Sequence, residues 1–171
     1  MMNDNINRAL KYAIRMHADQ KRKYTNEPYV FHSMAVADIV RTVPHTEVMI
    51  QAALLHDVVE DVAGVKFEDI KAEFGEDVAK LVYYLTDVSS GMALNRAQRK
   101  KLDREHYASG PAEAQTIKVA DMIDNTASIH QHDGQFWHNV YKHEKKQLLD
   151  ALTKADRDLV ERARKQIQEA W

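Results

Sequence analysis

The 171 residues contain no cysteine. That absence excludes disulfide staples, thiolate zinc sites and cysteine nucleophiles, and it suits a reducing compartment such as the cytoplasm. Glycine (five) and proline (three) are scarce, so the punctuation that sheet-rich chains need at their turns is missing. No run of ~18 apolar residues is present to span a membrane. The first residues, Met1-Met2-Asn3-Asp4-Asn5, are polar and carry no apolar signal core. Charge of one sign is also lacking. A net charge of −2 gives the molecule no general attraction for nucleic acid. Repeats, low-complexity segments and linkers are absent too, and nothing in the sequence sets an oligomeric state. What is left is one domain, residues 1–171, long enough to bury roughly 70% of the surface its unfolded chain exposes.

The apolar spacing is helical almost throughout and strand-like alternation is missing. Residues 4–19 place Ile6, Leu10, Ala13, Ile14 and His17 on one face, which reads His17 as a packed residue. Residues 20–30 are polar, contain Pro28 and read as a loop. A helix from His32 to Val43 stops before Pro44. Another begins at Thr46 and runs on to Asp61, with Gly64 breaking the chain beyond it. Further helices are expected over 66–74, 76–87, 95–108, 112–132, 135–155 and 156–170. Val78, Leu81, Val82 and Leu85 should face inward. The expected fold is all-α, a single compact helical bundle of about eight to ten helices.

The most informative segment is His56-Asp57-Val58-Val59-Glu60-Asp61. It follows the apolar stretch Met49–Leu55, so an imidazole and three carboxylates stand at the end of a core helix. At 100° per residue, His56, Asp57, Glu60 and Asp61 fall within an arc of about 140°. Carboxylates beside a core are costly unless compensated, and a metal ion would compensate them. Three other segments can join this end: His32 at the start of the second helix, Asp121 with Asn125 one turn on, and Arg22-Lys23 in the loop. Two imidazoles and two carboxylates suit Mn²⁺, Fe²⁺ or Zn²⁺ better than Ca²⁺ or Mg²⁺. They would leave an octahedral ion open to water and a substrate oxygen. Glu60 and Asp61 could then orient or protonate, and Arg22 and Lys23 would balance an anionic substrate. The reaction class assembled is metal-assisted hydrolysis of a phosphate ester.

His56-Asp57 alone could equally be a hydrogen-bonded pair at a helix end, and Arg22-Lys23 alone is more often plain surface charge. The ordered set carries more weight than its parts. His32, His56-Asp57 and Asp121 reproduce the H…HD…D pattern, and the chain resembles the HD-superfamily metal-dependent phosphohydrolases. The longer pattern of Pro28-Tyr29 through His32, Leu54-Leu55-His56-Asp57 with Glu60-Asp61, and Val119-Ala120-Asp121 with Asn125 is similar to the hydrolase domain of RelA/SpoT proteins. The resemblance covers nearly the whole chain and implies a stand-alone small alarmone hydrolase. Such an enzyme uses one Mn²⁺ ion to remove the 3′-pyrophosphate of (p)ppGpp, giving GDP or GTP and pyrophosphate. It implies metal ligation by His32, His56, Asp57 and Asp121, and water activation by Glu60 and Asp61. It also implies nucleotide contact by Arg22 and Lys23, ribose contact by Asn125, base contact by Ser128 and a pocket position for Tyr141. Arg99-Lys100-Lys101 matches a positive segment near the phosphates.

Two positions depart from the pattern. Asn26 stands where glycine is common, and asparagine tolerates a left-handed turn. Trp137 stands where some relatives place an arginine facing phosphate. His106 is the only histidine between the HD pair and Asp121, which favours one metal over two. His130, His132, His138 and His143 read as surface or pocket rim. The residues leave other substrates open: a 5′-nucleotide, an adenosine alarmone or NADPH. They also leave open a silent nucleotide-binding module.

Overall fold

In the computed structural model, which describes residues 4–170, α3 (Glu47–Leu55) is buried along most of its length. Every side chain from Met49 to Leu55 is buried, the polar Gln51 included, so this helix is enclosed on all sides rather than amphipathic. Thr46 caps it by accepting from the Met49 amide at 3.2 Å. Around it pack α1 (Asp4–Met16), α2 (Val30–Val40) and α6 (Glu76–Leu85). The short α5 (Phe67–Phe74) meets α6 across Gly75, whose φ of 92° a side chain would strain. Val78, Leu81, Val82 and Leu85 are buried as expected. The buried line of α1 is Ala9, Ala13 and His17, whereas Ile14 is 48% exposed. The expected face was therefore rotated: small residues let α1 sit close, and the larger Ile14 lies outside.

The fold is all-α, as expected. Among the described residues there is no strand, only an isolated bridge between Lys21 and Pro28. Of twelve α-helical segments, nine are eight residues or longer and three are single turns. Among the described residues no helix is long and apolar enough to cross a membrane.

The contacts cluster into two compact units, residues 1–86 and 87–171. The first holds the helices above with α4 (Val58–Asp61). The second is centred on α8 (Ala112–Thr126), which packs against α7 (Arg96–Ser109) and α12 (Arg157–Glu169). Asn95 and Gln98 cap α7 reciprocally, each side chain accepting from the other's amide. Between α8 and α12 lie α9 (Ile129–His132), α10 (Gly134–Phe136), a π-helical turn (Trp137–Tyr141) and α11 (Lys142–Ala151). Trp137 is fully buried, and its indole N–H donates to the Ala170 carbonyl.

Three expected helices are broken, each by a side-chain bond to the backbone or by a local change of pitch. The 46–61 helix divides at His56-Asp57. The His56 ring bonds the Ala53 carbonyl that the next helical amide would have used, and α4 restarts with Asp61 N donating to Asp57 O. The 112–132 helix divides at Ala127-Ser128. There the Thr126 hydroxyl bonds back to Met122 O, and Gln166 of α12 takes the Ile123 carbonyl at 2.8 Å. The 135–155 helix includes the π turn and stops at Ala151. The Lys154 and Asp156 amides donate to Gln115 and Thr116 of α8.

Candidate metal and catalytic site

The chemistry gathers where α3 ends. His56 is fully buried, and its Nδ1 lies 2.7 Å from Ala53 O. A carbonyl can only accept, so Nδ1 carries the proton and the ring lone pair is on Nε2, the ligating tautomer. That Nε2 lies 2.9 Å from Asp57 Oδ2. His32, third residue of α2 and 2% exposed, directs its own Nε2 to the same oxygen at 3.7 Å. The two rings meet edge to face with centroids 5.2 Å apart. One ligand atom each from His32, His56 and Asp57 lie within 4.8 Å of one another. Asp57 has φ −101° and ψ −2°, the sparsely populated bridge region where many active-site residues sit. The break in the helix thus turns this carboxylate onto the two rings.

Tyr29 completes the cluster. Its hydroxyl donates to Asp57 Oδ2 at 2.6 Å, and its ring lies between those of His17 (4.9 Å) and His32 (5.5 Å). The Asp57 carboxylate facing the His56 lone pair sets acceptor against acceptor, an opposition that a cation between them would relieve. The donor set fits a divalent ion: two imidazoles and a carboxylate, with one tautomer fixed by a backbone bond and the carboxylate fixed by a tyrosine.

Asp61, at the end of α4, accepts from Gln20 Nε2 at 2.8 Å. Desolvation on the protein-facing side of its carboxyl pushes its pKa up, although much of the residue is exposed. The Gln20 bond pulls it down, the Asp57 charge adds to the rise, and His17 and His56 oppose it. Glu60 is exposed on the same single turn. The helix expected to carry these acids unbroken divides at His56-Asp57, and Asp61 follows Asp57 by one turn of α4, its amide donating to Asp57 O. In the loop, Arg22 is half-buried and Lys23 is exposed, its Nζ 4.9 Å from the Tyr24 ring. Asn26 adopts φ 59°, the left-handed turn its side chain tolerates.

The second unit holds the remaining sequence candidates. Asp121 on α8 is buried, pairs with Lys118 Nζ at 3.0 Å and accepts from Asn125 Nδ2 at 2.7 Å. Lys118 also lies over the Tyr107 ring at 4.4 Å. Ser128 is half-buried before α9. Tyr141, half-buried, lies against Phe136, with Lys145 over its ring at 4.5 Å. In the basic run, Arg99 donates to Leu94 O at 2.6 Å, Lys100 pairs with Asp87 at 3.5 Å and Lys101 with Glu105 at 3.7 Å. His132, His138 and His143 are exposed and His130 is half-buried. Sequence reasoning missed Tyr29 as a partner of Asp57, and the roles of Gln20 and Lys118. The signal available for Gln20 was its place three residues after a histidine on the buried face of α1.

A helical scaffold with two buried histidines and an aspartate turned onto one point defines a divalent-metal centre of the mixed nitrogen–oxygen kind. The HD domain family model matches residues 9–157, and the chain belongs to that family. It is similar to the guanosine-3′,5′-bis(diphosphate) 3′-pyrophosphohydrolase MESH1 of Drosophila melanogaster, with 40% identity over 75% of this chain and 71% of that one. A probable guanosine-3′,5′-bis(diphosphate) 3′-pyrophosphohydrolase of Synechocystis is 46% identical over 72% of this chain, which spans only 16% of that longer protein. The structure superposes on a metazoan ortholog of SpoT, described as hydrolysing ppGpp, with a TM-score of 0.87, 32% identity and coverage of 99% and 97% of the two chains.

Proposed function

We propose that this chain is a metal-dependent hydrolase that removes pyrophosphate from the 3′ position of guanosine tetra- and pentaphosphate, releasing GDP or GTP. The observation that carries the reading is the convergence of His32, His56 and Asp57 within 4.8 Å, in a chain whose relatives bear that activity in their names. We assign Asp121 as the fourth ligand on the family pattern, Mn²⁺ as the ion, the two units as one catalytic domain and the cytoplasm as its place of work. A divalent ion bound there supplies Lewis acidity and lowers the pKa of a coordinated water.

The protein's own residues divide the remaining work. Tyr29 holds Asp57 through its hydroxyl, and the Ala53 carbonyl holds His56, so both ligands are oriented before anything binds. Asp61 accepts the proton of the attacking water, assisted by Glu60. Water oxygen bonds to the 3′-phosphorus, the bond from that phosphorus to the ribose 3′-oxygen breaks, and the 3′-oxygen takes a proton. A carboxyl whose burial raises its pKa is suited to both accepting and returning that proton. Arg22 and Lys23 bind phosphate, Asn125 the ribose, and Ser128 and Tyr141 line the nucleoside side. The test is product analysis with Mn²⁺ on a panel of 3′- and 5′-phosphorylated nucleotides. Pyrophosphate and GDP from ppGpp support the reading. Turnover confined to nucleoside 5′-monophosphates or to NADPH replaces it.

A further inference from the structure

Behind the ligands, α1 ends in a feature that the proposed reaction does not use. His17 is buried at 2% exposure, and its Nδ1 lies 2.7 Å from Gln20 Oε1. The other end of the same amide, Gln20 Nε2, lies 2.8 Å from Asp61 Oδ2. These contacts fix the protons. A carboxylate only accepts, so Gln20 must present its NH₂ to Asp61 and its oxygen to His17. An amide oxygen also only accepts, so His17 must carry its proton on Nδ1. Its Nε2 is buried without a hydrogen-bond partner among the described residues.

Gln20 is tied by its backbone as well. Its amide donates to His17 O at 3.0 Å, and its carbonyl accepts from the Tyr29 amide at 2.9 Å. The next residue, Lys21, makes the bridge to Pro28. One residue therefore anchors two approaches to the cluster: Tyr29, whose hydroxyl holds Asp57, and Asp61. The His17 ring, 4.9 Å from that of Tyr29, backs the first approach while its Nδ1 orients the second. Neither His17 nor Gln20 has a contact with the reacting atoms in the proposed reaction.

We propose that Gln20, with its amide orientation set by His17, is the positioning residue that holds the Asp61 carboxylate against the His56-Asp57 end of α3. The inference rests on the proposed role of Asp61, and it predicts a defect in turnover rather than in binding. Loss of the strut leaves Asp61 free to rotate into solvent, while the ligand atoms and the phosphate-binding cations stay in place.

The experiment uses the full chain with Mn²⁺ and compares Gln20→Leu, His17→Leu and His17→Asn. The asparagine NH₂ takes the place of imidazole Nδ1–H, so His17→Asn restores the donor. Expected are a kcat loss of about 10–100-fold in Gln20→Leu and His17→Leu, the range of residues that orient others at metal sites. KM and Mn²⁺ stoichiometry should stay near wild type, and His17→Asn should recover most of kcat. Gln20 is half-buried in a loop, so Gln20→Leu stays informative if substitution of the buried His17 prevents folding. Wild-type kcat in Gln20→Leu, or equal changes in KM and metal content, overturns the proposal. A second readout needs no substrate. Long-range ¹H–¹⁵N correlation spectra should show His17 as the Nδ1–H tautomer in wild type and a mixture in Gln20→Leu, and an Nε2–H ring in wild type overturns the strut. If wild type cleaves no 3′-pyrophosphate, the proposed function falls, while the tautomer still decides this inference.

Discussion

Asp103 of the second unit is buried and Asp57 of the first is half-buried, and the two aspartates are surrounded differently. In the second unit Asp103, 1% exposed, accepts from the Val88 amide at 3.0 Å, the Ser89 amide at 2.9 Å and the Ser89 hydroxyl at 2.8 Å. Lys100 Nζ stands 3.9 Å away. All of these neighbours are donors or cations, so the charge is compensated inside the protein and the residue pins the loop after α6. In the first unit Asp57 Oδ2 accepts from the Tyr29 hydroxyl and faces the Nε2 atoms of His32 and His56. A divalent cation would fit among those three atoms. A buried acid whose donors are all in place supports the fold, whereas an acid turned onto two imidazoles marks chemistry.

The largest expected effect tests the Asp57 side. His56→Ala should abolish turnover, with a loss beyond the roughly 10–100-fold typical of residues that only orient a ligand, and bound Mn²⁺ should fall with it. Because α3 is held along Met49–Leu55, far-UV circular dichroism should stay close to wild type. Wild-type turnover in Mn²⁺-supplemented buffer would remove His56 from the ligand set. Tyr29→Phe comes next. It deletes one hydroxyl and keeps the ring against His17 and His32, so metal affinity should drop by about 10–100-fold with stability little changed. Calorimetric titration with Mn²⁺ reads this directly, and an unaltered affinity would mean that Asp57 holds its orientation without help.

How much of this was legible in the sequence depends on whether the cause is local. The apolar stretch Met49–Leu55 singled out the His56-Asp57 that follows it, a local property, whereas His32 was picked out only by the family resemblance; the structure brings the three together. The break at His56-Asp57 was not legible: a histidine ring taking the carbonyl three residues back has no signature in apolar periodicity. Gln166 reaching the Ile123 carbonyl from a distant helix likewise could not be read from the 112–132 pattern. Ile14 was misplaced for a related reason, since helical period gives a stripe but not which edge of it meets α3. The role of His17 was half legible. Its burial followed from the α1 face, but its bond to Gln20 depends on the turn that ends the helix.

On the Asp103 side the comparison predicts a stability effect without a chemical one. Asp103→Ala leaves the Val88 and Ser89 donors without their shared acceptor, at a cost of about 1–3 kcal/mol. For a chain of this size that corresponds to a fall in Tm of roughly 2–4 °C per kcal/mol. Thermal denaturation should show it, while kcat per folded molecule at low temperature should match wild type. A kcat loss in folded Asp103→Ala protein would mean that its loop takes part in turnover, and the contrast between the two acids would narrow.

The smallest effect belongs to Lys101, in the basic run that the family pattern matched to a phosphate-facing segment. Arg99 and Lys100 of that run are occupied with Leu94 O and Asp87. Lys101 reaches only Glu105, at 3.7 Å, with both side chains more than half exposed. An exposed pair one turn apart on a helix contributes about 0.3–0.5 kcal/mol, and with the lysine N-terminal to the glutamate it opposes the helix dipole rather than complementing it. Lys101→Ala should therefore move stability by less than about 0.5 kcal/mol in chemical denaturation. It should also leave KM unchanged, because a side chain in water gains little from a phosphate that it does not enclose. A several-fold rise in KM at low salt, fading as salt is added, would show instead that this lysine reaches the substrate. Lys101 would then join the proposed phosphate-binding residues.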